Sequence, residues 1–274
     1  MSKLGVLYFN SGSPLYYGKD IGYDWCAYPT ATLAVSFGEP FNIKFTKNTD
    51  DWILSRSHVI KKGVLRTSIS SESKCLVLYL TQGSHLHHFL EKYKLGEKKY
   101  ADLSEYFDSK NLNKLKKLLK DTMTLEEVNF ARNFVAELIT ENLQEKRQRD
   151  ARIEKAMKLI HDTVNHETEN ITVAEIAKNV NLSPSRLQHL FKEDSGHTIQ
   201  SFTQGVKTVK FFRTICEAKT LTEAAHMCGF TDASHMNHII KKLYGVKPSI
   251  YFSGSKNDYI EIKFLSNDLL LNLY

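Results

Sequence analysis

Cysteine is scarce in this 274-residue chain: Cys26, Cys75, Cys216 and Cys228 are scattered, and no two are spaced as C-x-x-C. That excludes a zinc module built from paired thiolates and argues for a reducing compartment. Cys216 and Cys228 sit among core-type neighbours and are expected to be buried free thiols. Long hydrophobic runs are missing too. No stretch approaches the roughly 20 apolar residues a membrane span needs, and the N-terminus has no secretory h-region, so a soluble cytoplasmic protein without membrane contact is expected. There is no Gly-rich phosphate loop, no G-x-S-x-G elbow and no pair of carboxylates in a credible context. Neither an enzyme nor a bound cofactor is expected. Charge of one sign is not concentrated either. The formal charge is +6, yet residues 150–252 carry 13 Lys and Arg against 11 Asp and Glu. A strong phosphate binder has a larger basic excess. Any positive face there has to come from arrangement, with dimerisation adding to a modest affinity.

What the last third does have is one plan written twice. Residues 171–196 read ITVAEIAKNVNLSPSRLQHLFKEDSG, and residues 221–248 read LTEAAHMCGFTDASHMNHIIKKLYGVKP. In each, a short helix with apolar residues at i, i+3 and i+4 leads through a tight turn to a capped second helix that ends at a Gly. This is the helix-turn-helix layout, which exposes one helix face where it can enter a DNA major groove.

In the first copy Val173, Ile176, Ala177 and Val180 form an inward stripe and Leu182 occupies the turn. Ser183 is a good N-cap, and Pro184 takes the first helical position, where its missing N–H costs nothing. Leu187, Leu190 and Phe191 then point inward, leaving Ser185, Arg186, Gln188, His189 and Lys192 outward. In the second copy Ala224, Ala225 and Cys228 support, Gly229-Phe230 turn, and Asp232 or Thr231 caps. Met236, Ile239/Ile240 and Leu243 face inward, leaving Ala233, Ser234, Asn237, His238, Lys241 and Lys242 outside. Gln188 and Asn237 can pair with adenine, Arg186 with guanine or a phosphate, and Ala233 can touch a thymine methyl, while the lysines clamp phosphates. The caps Ser183 and Asp232 lie 49 positions apart. A connecting helix over about 202–217 can therefore set the reading helices about one DNA turn, roughly 34 Å, apart.

Residues 1 to about 90 read as β. Ala31–Phe37, Phe41–Thr46, Trp52–Ser55, Val64–Ser70 and Cys75–Leu80 are short runs rich in β-branched and aromatic residues, with a further strand around Tyr8–Phe9. Turn signals separate them, which suggests a small sandwich or barrel. From about Leu86 the period becomes helical. Leu112, Leu115 and Leu119 line one face of a helix, and a second begins near Thr124 with a capping-box pattern. Its apolar face runs through Leu125, Val128, Ala131, Phe134/Val135, Leu138, Ile139 and Leu143. Gln144–Arg152 is charged and without apolar spacing, as in a linker. A lead helix bearing Ile153, Met157 and Ile160 opens the last domain.

With AEIAKNVNLSPSRLQHLFKEDSG and LTEAAHMCGFTDASHMNHIIKKLYGVKPS in view, residues from about 153 to 252 resemble the DNA-binding domain of the AraC/XylS family of bacterial transcription regulators. The resemblance implies two helix-turn-helix units joined by a helix and binding adjacent major grooves on one DNA face. Matched to the family's base-reading positions are Ser185, Gln188 and His189, then Ser234, Asn237 and His238. The chain departs from the pattern where an aromatic is usual (Met236), where Arg is usual (His238), where Phe is usual (Ile240), and at Ile250-Tyr251-Phe252, where Arg soon follows Pro-Ser. The N-terminal half resembles the family's cupin-like sensor domain. By that resemblance it binds a small effector, and Leu112, Leu115 and Leu119 are dimer-interface candidates; packing of these leucines on the barrel is the open alternative.

The expected fold class is α+β. Residues 1–148 form a cupin-like effector-binding and dimerisation domain with helices at about 102–145. Residues 149–252 form an all-α DNA-binding domain, and 253–274 a tail without an assigned role. The expected function is a sequence-specific transcription regulator, an activator or a repressor, with promoter DNA, RNA polymerase, a second copy of the chain and a small effector as partners. The alternative is an N-terminal domain that only dimerises or docks a protein. A metal-dependent enzyme fused to a regulator is a third reading, resting on His85-Leu-His87-His88. That cluster reads better as a solvated or capping group, with only His58 elsewhere in the β region, so no metal is expected. Tyr and Trp residues of the β region are core first, with pocket walls as the rarer use.

Overall fold

The computed structural model describes residues 2–9, 14–80, 84–141, 150–166, 171–195, 198–218, 220–227, 232–251 and 258–265. Its strands are β1 (Lys3–Phe9), β2 (Leu15–Lys19), β3 (Tyr23–Cys26), β4 (Ala31–Ser36), β5 (Phe41–Lys44), β6 (Ile53–Ser55), β7 (Ser57–Ile60), β8 (Arg66–Ile69), β9 (Lys74–Leu80), β10 (Tyr100–Asp102) and β11 (Tyr259–Phe264). They form a seven-stranded sheet in the order β10-β7-β4-β9-β2-β1-β11 and a four-stranded sheet in the order β3-β8-β5-β6. The five expected strands and the one at Tyr8–Phe9 are present, and β2, β3, β7, β10 and β11 add to them.

Alternation along β1 shows how the larger sheet is used. Val6 and Tyr8 enter a core closed by helices, whereas Leu7 and Phe9 enter a second core on the opposite face. β4 and β9 do the same, with Leu33, Val35, Leu76, Leu78 and Leu80 on the helix side and Ala34 and Cys75 on the other. A sheet covered on both faces has no polar side to display, which is why these strands read as continuous apolar runs.

The helix-side cover is α1 (His85–Leu90), α2 (Ser109–Leu118) and α3 (Leu125–Thr140). The Thr124 capping box is formed: Thr124 Oγ1 accepts from the Glu127 amide at 3.3 Å, and Glu127 Oε2 accepts from the Thr124 amide at 2.9 Å. Val128, Ala131, Val135 and Ile139 then face the sheet, and Tyr8 Oη accepts from the Met123 amide at 3.0 Å. Leu115 and Leu119 are buried in this same core and Leu112 packs against it half-buried. The interface reading of these leucines is thereby corrected. Leu115 and Leu119 spend their apolar surface inside their own domain and have none to offer a second copy in this arrangement.

The C-terminal helices are α4 (Ala151–His166), α5 (Val173–Asn179), α6 (Pro184–Ser195), α7 (Ile199–Glu217), α8 (Leu221–Met227) and α9 (Ala233–Tyr244). The first unit has a core of its own. Ile153, Ala156, Met157 and Ile160 of α4 meet Ile176, Ala177, Leu187 and Phe191, together with Ile199, Phe202 and Val206 from the first half of α7. The second half of α7 does something else. Phe211, Phe212 and Ile215 join Ala224, Ala225, Met236, Ile240 and Tyr244 in the core between the two sheets. Cys216 is exposed on α7 rather than buried, because its neighbours on that turn take the inward positions; Cys228 and Leu143 lie outside the described residues. The tail has a role here. β11 pairs in parallel with β1, from Lys3–Tyr259 to Phe9–Phe264, and closes the sheet edge.

Gly245 marks the closest approach of the two halves. Its φ of 69° gives α9 a left-handed C-cap, and a Cβ there would lie 2.5 Å from the Asp24 carbonyl oxygen and 2.9 Å from Tyr23 Cβ. Gly245→Ala is therefore expected to lower the unfolding free energy by roughly 2 kcal/mol or more, adding left-handed strain to a backbone clash. Urea unfolding would measure this, and unchanged stability would disprove the contact.

Candidate nucleic-acid interface

The first unit is assembled by local signals. Thr172 and Glu175 form a capping box that starts α5, with the Thr172 amide donating to Glu175 Oε2 at 2.7 Å. The turn is made by Asn181 at φ 55°, a left-handed position that Asn tolerates well. Ser183 Oγ accepts from the Arg186 amide at 3.3 Å, and Pro184 begins α6 as expected. With Leu187 and Phe191 buried, Ser185, Arg186, Gln188, His189 and Lys192 all emerge exposed on one side. His189 Nδ1 lies 3.6 Å from Glu193 Oε2, one turn on, where both are open to solvent. Glu193 was not singled out from the sequence, yet it borders the reading face with negative charge.

The second unit presents less. Asp232 caps α9 by accepting from the His235 amide at 2.8 Å; Cys228 to Thr231 lie outside the described residues. Ser234, His238, Lys241 and Lys242 are exposed, but Asn237 is half-buried, and Ala233 packs half-buried against the shared core. Lys241 Nζ sits 2.9 Å from Asp24 Oδ2 of the sheet domain. The Asp24 carboxyl is held below its usual range, chiefly by that hydrogen bond. The Asp24 amide donates to the Gly245 carbonyl at 2.9 Å, and Tyr28 Oη donates to the Tyr244 carbonyl at 3.1 Å.

The two units stand at opposite ends of α7, whose 19 residues give a rod about 28 Å long. Lys210 Nζ donates to the Val164 carbonyl at 2.7 Å and ties that rod to α4. Two exposed helices held at such a separation suit two successive major-groove segments on one side of a duplex.

Residues 176–254 match the family described as the helix-turn-helix domain. The arabinose operon regulatory protein of Escherichia coli K12 is 30% identical over 113 residues, which is 38% of this chain and 36% of that protein. The xylose operon regulatory protein of the same organism is 31% identical over 94 residues, 34% of this chain and 24% of that protein. Over these residues the chain is similar to bacterial operon regulators of the AraC/XylS kind. The match thus covers about a third or less of the length of these curated relatives. Over the whole chain the fold is similar to that of an apo ToxT variant from Vibrio cholerae, with a TM-score of 0.51 at 13% identity, covering 86% of this chain and 96% of that one.

Most of the positions where the chain departs from the AraC/XylS pattern share a location. Met236, Ile240 and Tyr251 all lie in the core shared with the sheets, with Ile250 packed against it. His238 is exposed on α9. No helix among the described residues is long and apolar enough to cross a membrane.

The histidines of the sheet domain do not converge. His85, His87 and His88 lie on α1, where His87 is buried rather than solvated, with Nε2 3.8 Å from Glu91 Oε1. Among the described residues no group of three or more His, Cys, Asp or Glu side chains is placed to hold a metal ion. His58 is buried on β7, with its Nδ1 unpartnered, and burial pushes its pKa down to about 3. Its folded pKa lies below the ordinary 6.5, so below pH 6.5 the unfolded chain takes up a proton that the fold refuses. Stability is full above pH 6.5 and is lost as the pH falls toward 3. Between pH 7.5 and 5, His58 alone is expected to remove about 2 kcal/mol. Urea unfolding at both pH values would show this, and His58→Gln should flatten that part of the profile.

Proposed function

We propose that this protein is a sequence-specific transcription regulator that reads promoter DNA through α6 and α9. The observation that carries the reading is the pair of exposed helices held at the two ends of one rod-like helix. In this reading Gln188 and Asn237 pair with adenine, Arg186 with guanine or phosphate, and Ser185, His189, Ser234 and His238 add single hydrogen bonds to base edges. Lys192, Lys241 and Lys242 hold phosphates. Ala233 is the weakest member, since it packs against the shared core.

Control by a small effector in the sheet domain belongs to the same proposal, as do activation through RNA polymerase, a cytoplasmic location and action as a homodimer. Support for an effector is a cavity of about 80 Å³ between the sheets. A homodimer contact would have to use groups that α2 and α3 leave outside, such as Phe130, which is 59% exposed. Leu115 and Leu119 are already occupied.

Selection from a random duplex pool with the full-length protein, over a salt series, tests the reading. The expected product is a motif of two short blocks about one helical turn apart; binding with no motif would disprove it. Gln188→Ala should relax preference at one position by roughly 1–3 kcal/mol. Lys242→Ala should weaken all sequences alike and lower the salt slope by about 1. Lys241→Ala should do less than Lys242→Ala, because Asp24 already partners Lys241. An equal or larger effect at Lys241 would show that the ion pair opens on DNA.

A further inference from the structure

Arg66 is an anomaly of the sheet domain. It begins β8, and only 1% of its surface is exposed. One guanidinium nitrogen donates to Thr32 Oγ1 at 2.9 Å, while Nε and the other terminal nitrogen have no acceptor. Among the described residues no carboxylate lies within salt-bridge distance of it. Asp20, which lines the same cavity, is engaged elsewhere, accepting from the Ser71 hydroxyl at 3.0 Å and from the Ser71 and Gly22 amides at 3.2 Å. The guanidinium stacks over Tyr28, 4.4 Å from the ring centroid. Stacking uses the face of the cation, whereas its N–H groups lie in the plane, so the ring does not satisfy them.

An arginine cannot shed its charge when buried, and a buried ion without a partner is costly. Among the described residues the fold therefore keeps a cation with no carboxylate partner, met by the Thr32 hydroxyl, the Tyr28 ring and the neighbouring Tyr23 phenol. Around it lies the cavity of about 80 Å³, walled by Leu7, Phe41, Ile43 and Val77 as well as by tyrosines. An engineered apolar cavity of roughly 150 Å³ holds benzene. A space about half that size suits an acid of only a few carbons. We propose that this cavity binds a short-chain carboxylic acid, acetate to butyrate in size, with the carboxylate on Arg66 and the alkyl end against the apolar wall. A carboxylate with an alkyl end fits better than an inorganic anion because the lining sets Leu7, Phe41, Ile43 and Val77 beside Arg66, with Thr32, His58 and Ser68 among its polar members.

The position of the cavity gives the ligand something to act on. Val246 and Tyr251, from the segment after α9, form part of its lining. Ile21, Gly22, Tyr23 and Val246 also line a shallow groove between the sheets and that segment. An acid seated on Arg66 touches both halves of the protein, within a few residues of the second reading helix. This deepens the effector reading given above and rests on it only for the consequence at DNA.

The test is thermal unfolding of the full-length protein in 30 mM sodium acetate, propionate or butyrate. The controls are sodium chloride at equal ionic strength and propionamide, which has the shape without the charge. At least one carboxylate should raise the melting temperature by about 3–6 °C over the chloride control, and propionamide should not. Arg66→Met should lose the response and melt no lower than the parent, since an unpaired buried charge has been replaced by an apolar chain of similar length. No response to any of the acids, an equal response to propionamide, or a response that survives in Arg66→Met would each overturn the proposal. If Arg66→Met does not fold, the Nε–H resonance of Arg66 in the parent protein decides. It must shift on adding propionate, and a resonance that stays put refutes the site. Affinity for the selected DNA separates the two readings. Acid binding that leaves DNA affinity unchanged keeps the Arg66 site and ends the effector role. DNA affinity that answers to propionamide and not to propionate keeps an effector and ends the Arg66 assignment.

Discussion

The placement of α9 hangs on the packing of Phe212. Its ring lies 5.2 Å from Phe9 of β1, 5.7 Å from Tyr244 of α9 and 5.1 Å from Tyr251. One side chain of α7 thus touches the large sheet, the second reading helix and the segment beyond it. The reason is size. α8 has 7 residues and α9 has 12, too few to bury an apolar stripe on each other. The first unit solves this with α4, and the second uses the inter-sheet core. Aromatic contacts of this kind add directional preference to area burial, so they define an angle as well as an affinity.

That asymmetry gives the departures from the family pattern a physical meaning. Met236 and Ile240 are the inward residues of α9, and they join a core that also holds Leu7, Phe9, Tyr16 and Cys75. Methionine fills irregular gaps well, and an aliphatic chain beside so many rings avoids further crowding. Tyr251 ends the helical part as a packing residue in the same core. Met236, Ile240 and Tyr251 are, by position, fittings between the two halves, whereas His238 stays exposed.

Much of this was legible in the chain. Helix starts were written as caps at Thr124, Ser183 and Asp232, and the i, i+3, i+4 stripes of α4, α5 and α6 pointed inward as read. Short strands buried on both faces were harder. β2 contains Gly18, whose backbone crosses so close to Gly5 that a Cβ on it would meet that Cα at 2.4 Å; such a strand has little β-propensity to notice. β6 and β7 are separated only by Arg56 and belong to different sheets. For the α2 leucines, periodicity tells which residues share a face but not what covers it. Pairings across the chain leave no local trace. Lys241 and Asp24 belong to different domains, and nothing beside Arg66 in sequence announces that its nitrogens end in an apolar cavity.

The parallel pairing of β11 with β1 changes how the DNA-binding part should be pictured. Helices α4 to α9 are an insertion between strands of one sheet domain, with the chain leaving after α3 and returning at the sheet edge. An appended domain on a single tether explores a sphere of orientations, while one held at both ends behaves as a flap with a defined axis. Whatever turns the second unit against the sheets must strain or slide the β1–β11 ladder. Under the proposed function, a signal arising among the strands would reach α6 and α9 as a mechanical load, through covalent chain as well as through contact.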